Sequence, residues 1–302
     1  MKLLKSTWKR GLAYAMVAML SVGLLAGCGG TTTPDEQEPD PTPSVSENKE
    51  INIGVVNWAE CVAVSNLWKE ILEQKDYTVN LTTLEVAPLF VGLNKGDLDV
   101  FMDAWLPITH QTYWKEYKDN LDDYGIWYQS DAKIGLVVPN YVDLKSIGDL
   151  KDNKDDFDGK IIGIDPGAGI MKASAKANDN YELGFEVVQS SEAAMMTALD
   201  KAYRNEEAVV VTGWSPHWMF AKYDLKYLDD PKQDFGDAEK LHILANKDFT
   251  TSNPEVADML KAFKLTDKQI GDIEGLINEG MEPQKAAKAW MKDNQDVVDG
   301  WI

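Results

Sequence analysis

From Ile51 onward, short apolar runs alternate with amphipathic stretches of helical period, and this alternation restricts the fold more than any other feature of the chain. Strands are expected at 51–56, 77–83 and 98–104, with helices at 62–73 and 88–94 between them. A second set follows a polar stretch, with strands at 160–164, 185–188 and 208–211 and helices at 170–177 and 192–203. Strands separated by helices of this length imply βαβ units and a mostly parallel α/β sheet. Two such sets predict two lobes. Segments 133–139 and 241–246 fit neither alternation and are expected to cross between the lobes. The tail reads as helical, with starts marked by Asn253-Pro254, Thr266-Asp267 and Glu282-Pro283. Two crossings return it to the first lobe, giving lobe I as 50–138 plus 241–302 and lobe II as 139–240, hinged around a cleft.

In open α/β sheets ligands bind beyond the carboxyl ends of the strands. Trp58 ends the run 51–57, Trp105 ends the run 98–104, and Trp214 follows the run 208–211 within Gly213-Trp214-Ser215-Pro216-His217-Trp218. Three indoles at three strand exits predict one pocket wall. Trp68 is the contrast: with Val64, Leu67, Ile71 and Leu72 it forms the apolar stripe of an amphipathic helix and is expected in the core.

The turn Gly163-Ile164-Asp165-Pro166-Gly167-Ala168-Gly169 lies between a strand and a helix. It lacks the glycine spacing of a dinucleotide fingerprint and the Lys-Ser/Thr of a P-loop. Its free amides at a helix start suit an anion, and a carboxylate is sufficient. Aromatic walls plus such a site call for a ligand cationic at one end and carboxylate at the other. A quaternary ammonium against indole faces gains about 0.5 to 2 kcal/mol per good contact. On this reading the ring faces suffice and no acidic partner is required.

Signatures of catalysis are weak. Gly213-Trp214-Ser215-Pro216-His217 begins like a nucleophile elbow but has His where the closing Gly belongs. Asp97, Asp99 and Asp103 have no Glu to close a calcium loop, so neither a metal nor another cofactor is expected.

Residues 1–27 combine a basic start (Lys2, Lys5, Lys9, Arg10), an apolar run and the small-residue ending Leu25-Ala26-Gly27 before Cys28. That is the layout of a secretory signal. Leu-Ala-Gly-Cys resembles a bacterial lipobox, in which the Cys is acylated. Residues 28–49, rich in Thr, Pro, Ser and acidic residues, read as a disordered tether. The folded part is thus expected outside the cytoplasmic membrane, lipid-anchored through Cys28. Loss of four basic residues with the signal takes the formal charge from −20 to −24, which argues against nucleic acid as a partner. With Cys28 lipidated only Cys61 remains, which excludes an intramolecular disulfide.

Four motifs together resemble the substrate-binding lipoproteins of bacterial ABC importers for glycine betaine, proline betaine and related compatible solutes. They are Asn57-Trp58-Ala59-Glu60, the run Asp103 to His110, Asp165-Pro166-Gly167-Ala168-Gly169-Ile170, and Gly213 to Trp218. The resemblance implies a two-lobed periplasmic-binding-protein fold of the second type, with an aromatic prism of Trp58, Trp105 and Trp214 around a trimethylammonium group. It implies that the carboxylate meets the amides of Gly169 and Ile170 and one imidazole, His217 or His110. His242, on a connecting segment, is expected to be structural. It further implies a non-catalytic receptor, acting as a monomer, that delivers a betaine to a membrane permease for osmoprotection. The alternative from another class is an exported hydrolase of choline-type esters.

Overall fold

A computed structural model describes residues 49–302; the signal sequence, Cys28 and nearly all of the tether lie outside the described residues. The first sheet is built from β1 (Glu50–Val55), β2 (Thr78–Thr83), β3 (Val100–Leu106), β4 (Leu121–Ile126) and a late strand described below. Between them run α1 (Ala59–Glu73), α2 (Val86–Lys95) and α3 (Gln111–Tyr117). The second sheet holds β5 (Lys133–Pro139), β6 (Lys160–Ile162), β7 (Glu186–Val188), β8 (Val211–Ser215) and β9 (Leu225–Tyr227). Its helices are α4 (Gly169–Asn180), α5 (Glu192–Arg204) and the short α6 (Met219–Lys222). The chain then returns as β10 (Lys240–Asn246), followed by α7 (Lys247–Ser252), α8 (Pro254–Ala262), α9 (Asp267–Asn278), α10 (Pro283–Asp293) and α11 (Gln295–Asp299).

The two sheets share one plan. The first runs β2-β1-β3-β10-β4 and the second β7-β6-β8-β5-β9. In each, the first three strands are parallel, and the strand that arrives from the other lobe runs antiparallel to both its neighbours. Segment 133–139, expected as a crossing, is therefore a full member of the second sheet, and 240–246 of the first. The physical reason is its composition: a buried apolar run satisfies its backbone by pairing inside a sheet. The crossings are shorter and flank it, at 127–132 and 228–239. They meet where Ala132 and Glu239 exchange backbone hydrogen bonds of 3.0 and 2.8 Å.

The helical tail does pack on the first lobe, with α9 and α10 against α1. Its starts follow local chemistry. Thr266 caps α9 with a capping box to Gln269, and Pro254 and Pro283 occupy first-turn positions of α8 and α10. Trp68 is wholly buried and meets Phe263 edge-on at 5.4 Å, while Trp301 and Trp127 contact the same ring. Tail and first lobe thus share one core, in which each large apolar side chain contributes roughly 1.5–3 kcal/mol.

Candidate functional site

The strand exits of the two sheets face each other. Trp58 is the N-cap residue of α1, Trp105 lies near the end of β3, and Trp214 lies near the end of β8. All three are buried, and all three line one cavity together with Glu60, Thr109, Ile134, Ile164, Ala168, Gly169 and Ile170. About 280 Å³ between these residues, part of it continuous with solvent, is free of protein atoms. The space suits a small, mostly apolar head group.

Gly169 and Ile170 open α4, and as the first helical residues their amides have no i−4 carbonyl to meet. Both residues line the cavity from the second lobe. A Cβ on Gly169 would stand 2.5 Å from the Thr109 carbonyl oxygen, so only glycine permits this approach of α4 to the segment after β3. Thr109 is itself held: the amides of Ile108 (2.5 Å) and Thr109 (2.7 Å) and the Thr109 hydroxyl all donate to the buried Glu239 carboxylate on the second crossing.

Three further bonds join the lobes. The Trp214 indole N–H donates to Glu60 Oε2 at 2.9 Å, the Ala59 amide to Glu192 Oε2 at 3.0 Å, and the Tyr113 hydroxyl to the Gly167 carbonyl at 3.1 Å. The cleft is therefore closed around the cavity.

The two candidate imidazoles differ. His217 accepts from the Met219 amide at Nδ1 (3.0 Å) and meets Glu192 Oε1 through Nε2 (3.2 Å), packing edge-on against Trp214 at 4.7 Å. Both its nitrogens are occupied. His110 accepts the Trp105 amide at Nδ1 (3.0 Å), which places the proton of the neutral ring on Nε2. That Nε2 is buried and has no protein partner, and the ring stacks on Trp58 at 5.8 Å. Burial lowers the His110 pKa to about 3, so the imidazole is neutral and a donor through Nε2 alone. His242 pairs with Asp123 across the first sheet at 2.9 Å, away from the cavity.

Glu60 and Asp103 were not expected at the cage. Glu60 is 1 % exposed and Asp103 fully buried. Burial first, then the carboxyls of Asp103, Glu274 and Glu192, raise the Glu60 pKa well above its ordinary value, against the bond from Trp214. Burial likewise raises Asp103 to about 7. One signal for Glu60 exists in the sequence: it stands four, seven and eleven residues before Val64, Leu67 and Ile71, a charged residue on the buried stripe of α1. Nothing local marks Glu239 or Thr109. The elbow-like Ser215 bonds the Tyr227 hydroxyl at 2.9 Å and does not meet His217. Among the described residues no group of three or more His, Cys, Asp or Glu is arranged for a metal ion.

Comparison with known proteins places this geometry. The glycine betaine/carnitine transport binding protein of Listeria monocytogenes is 41 % identical over 154 residues; the match covers 50 % of this chain and about half (51 %) of that protein's length. A crystal structure of lactococcal OpuAC, closed and complexed with glycine betaine, superposes with a TM-score of 0.79 at 38 % identity, covering 83 % of this chain and 98 % of that one. An ABC-transporter choline binding protein in complex with choline superposes with a TM-score of 0.79 at 28 % identity, over 84 % of this chain and 91 % of that one. The two-lobed binding-protein fold anticipated from the motifs is the fold of this chain. Residues 49–293 match the family of substrate-binding domains of ABC-type glycine betaine transport systems, and the chain belongs to that family.

Proposed function

We propose that this protein is the extracytoplasmic receptor of an ABC importer, capturing glycine betaine or a related quaternary-ammonium zwitterion between its lobes and delivering it to a membrane permease. The observation that carries this reading is the convergence of three strand-end indoles on a single cavity also lined by Gly169 and Ile170, the first residues of α4. Trp58, Trp105 and Trp214 hold the trimethylammonium head by their ring faces. The carboxylate takes the amides of Gly169 and Ile170 and the free Nε2–H of His110. His217 instead supports Trp214 from behind, since its nitrogens are engaged. The lobes hinge at the paired crossings near Ala132 and Glu239, and the protein acts as a monomer without catalysis. Cys28 carries the lipid that anchors it. A choline ester hydrolase is disfavoured because Ser215 and His217 each have other partners.

Choline is the competing ligand, favoured by the likeness to a choline-binding protein. It offers the same head but a hydroxyl where the amides and His110 await an anion. Charge-assisted hydrogen bonds contribute about 1.5–3 kcal/mol each, so calorimetric titration should find choline at least tenfold weaker than glycine betaine. Equal affinity would overturn the assignment of the carboxylate end.

A further inference from the structure

The cage is backed by acid. Glu60 lines the cavity, its Oε2 engaged by the Trp214 indole and its Oε1 buried without a hydrogen-bond donor. Asp103, on β3, is fully buried, and neither of its oxygens has a hydrogen-bond partner. The groups acting on Asp103 are the Glu60 carboxyl and the Trp105 side chain. Glu60 thus bonds one cage indole, and the ionisation of Asp103 responds to Glu60 and to a second, Trp105. The charges acting most strongly on Glu60 from elsewhere are also negative: Glu274 from α9 and Glu192 from α5, the latter bonded to Ala59 and His217. Cys61 beside it is buried, with its thiol pushed up by burial, and His110 across Trp58 is neutral. Two buried carboxyls that act on each other, with no nearby cation, do not both ionise readily, so one keeps a proton.

We propose that Glu60 and Asp103 are the counter-charge of the cage, together retaining one proton while it is empty and releasing that proton to solvent when a quaternary ammonium enters. The inference rests on the site assignment above. A trimethylammonium group carries a positive charge but no N–H, so it replaces the proton's charge without replacing its hydrogen bond. At the cage end one positive charge replaces another, the ammonium head entering as the proton leaves, while the ligand's carboxylate is met separately at the far end. Glu60 and Asp103 thereby become determinants of cation specificity, which the indoles alone, equally hospitable to a tert-butyl group, do not supply.

The sign follows from linkage. Ligand lowers the proton affinity of the pair, so affinity rises with pH until the empty pair is itself ionised, and is flat above that point. Titration calorimetry of the wild-type protein with glycine betaine, in two buffers of different ionisation enthalpy, counts the protons. We expect about one released near pH 6.5, Kd falling up to about tenfold per pH unit there, and release tending to zero at high pH. The isostere 3,3-dimethylbutanoate, an anion whose tert-butyl head has carbon in place of the ammonium nitrogen and no charge, should bind at least tenfold more weakly and release none. The double variant Glu60→Gln/Asp103→Asn should bind betaine more weakly than the wild type at high pH, and what binding remains should show neither proton release nor pH dependence. Betaine binding that releases no proton, or release that persists in the double variant, would overturn the inference and leave the receptor assignment standing. Failure of betaine to bind at any pH would overturn both.

Discussion

At the scale of single residues, the indoles were legible because a tryptophan after an apolar run has a meaning that strand geometry supplies. The histidines were not. His110 and His217 stand in equivalent-looking motifs, and what separates them is which backbone amide each ring accepts and whether a second partner waits at Nε2. Those are tertiary facts. Glu60 was visible as a residue but not placed at the cage, where the folded chain buries its carboxyl against one of the indoles. Burial of its partner depends on β3 lying beside β1, which no local pattern encodes. The His110 assignment makes a sharp prediction. His110→Ala removes one donor to the carboxylate, so glycine betaine should weaken roughly ten- to hundredfold, while choline, which has no carboxylate, should change far less. His217→Ala should weaken both ligands alike, through Trp214. Titration of both ligands against both variants checks this, and the reverse pattern would reassign the imidazole.

At the scale of elements, helix starts were the most readable feature, since Asn253-Pro254, Thr266 and Glu282-Pro283 act through local hydrogen bonding and fixed backbone torsions. The strands β4 and β9 went unseen. Leu121–Ile126 carries two aspartates and a glycine, a poor strand signal, and it is a strand because β10 supplies an antiparallel partner. The glycine-rich turn before α4 was legible as a helix start with free amides, but the need for Gly169 comes from Thr109 on the opposite lobe. Hence a test of closure at this contact: Gly169→Ala should leave the ligand-free melting temperature nearly unchanged, because an open cleft has room for the methyl group. It should weaken glycine betaine at least tenfold, because the closed cleft does not. Small-angle scattering should then show compaction by betaine in the wild type and not in the variant at the same ligand concentration. A variant that melts early would instead make Gly169 part of the folding core.

At the scale of the whole molecule, the receptor assignment also predicts where the protein sits. Cys28 and its lipobox lie outside the described residues; metabolic labelling with a fatty acid should mark the wild type and not Cys28→Ala, and equal labelling would remove the anchor from the proposal. Within the folded part, alternation of apolar and amphipathic segments determined the class, two sets of βαβ units in an α/β chain, because periodicity records which faces must leave water. Indoles at strand exits, a glycine-rich helix start and the helix caps were likewise determined locally, since each depends on residues within a few positions of one another. Which strands join which sheet, where the chain crosses, and which acids and imidazole surround the cavity were decided only by the tertiary structure. Hydrogen bonds between Ala132 and Glu239, Trp214 and Glu60, or Ala59 and Glu192 span about a hundred residues or more. Pairings of that range are selected by the joint packing of both lobes, and no local window of sequence contains both partners.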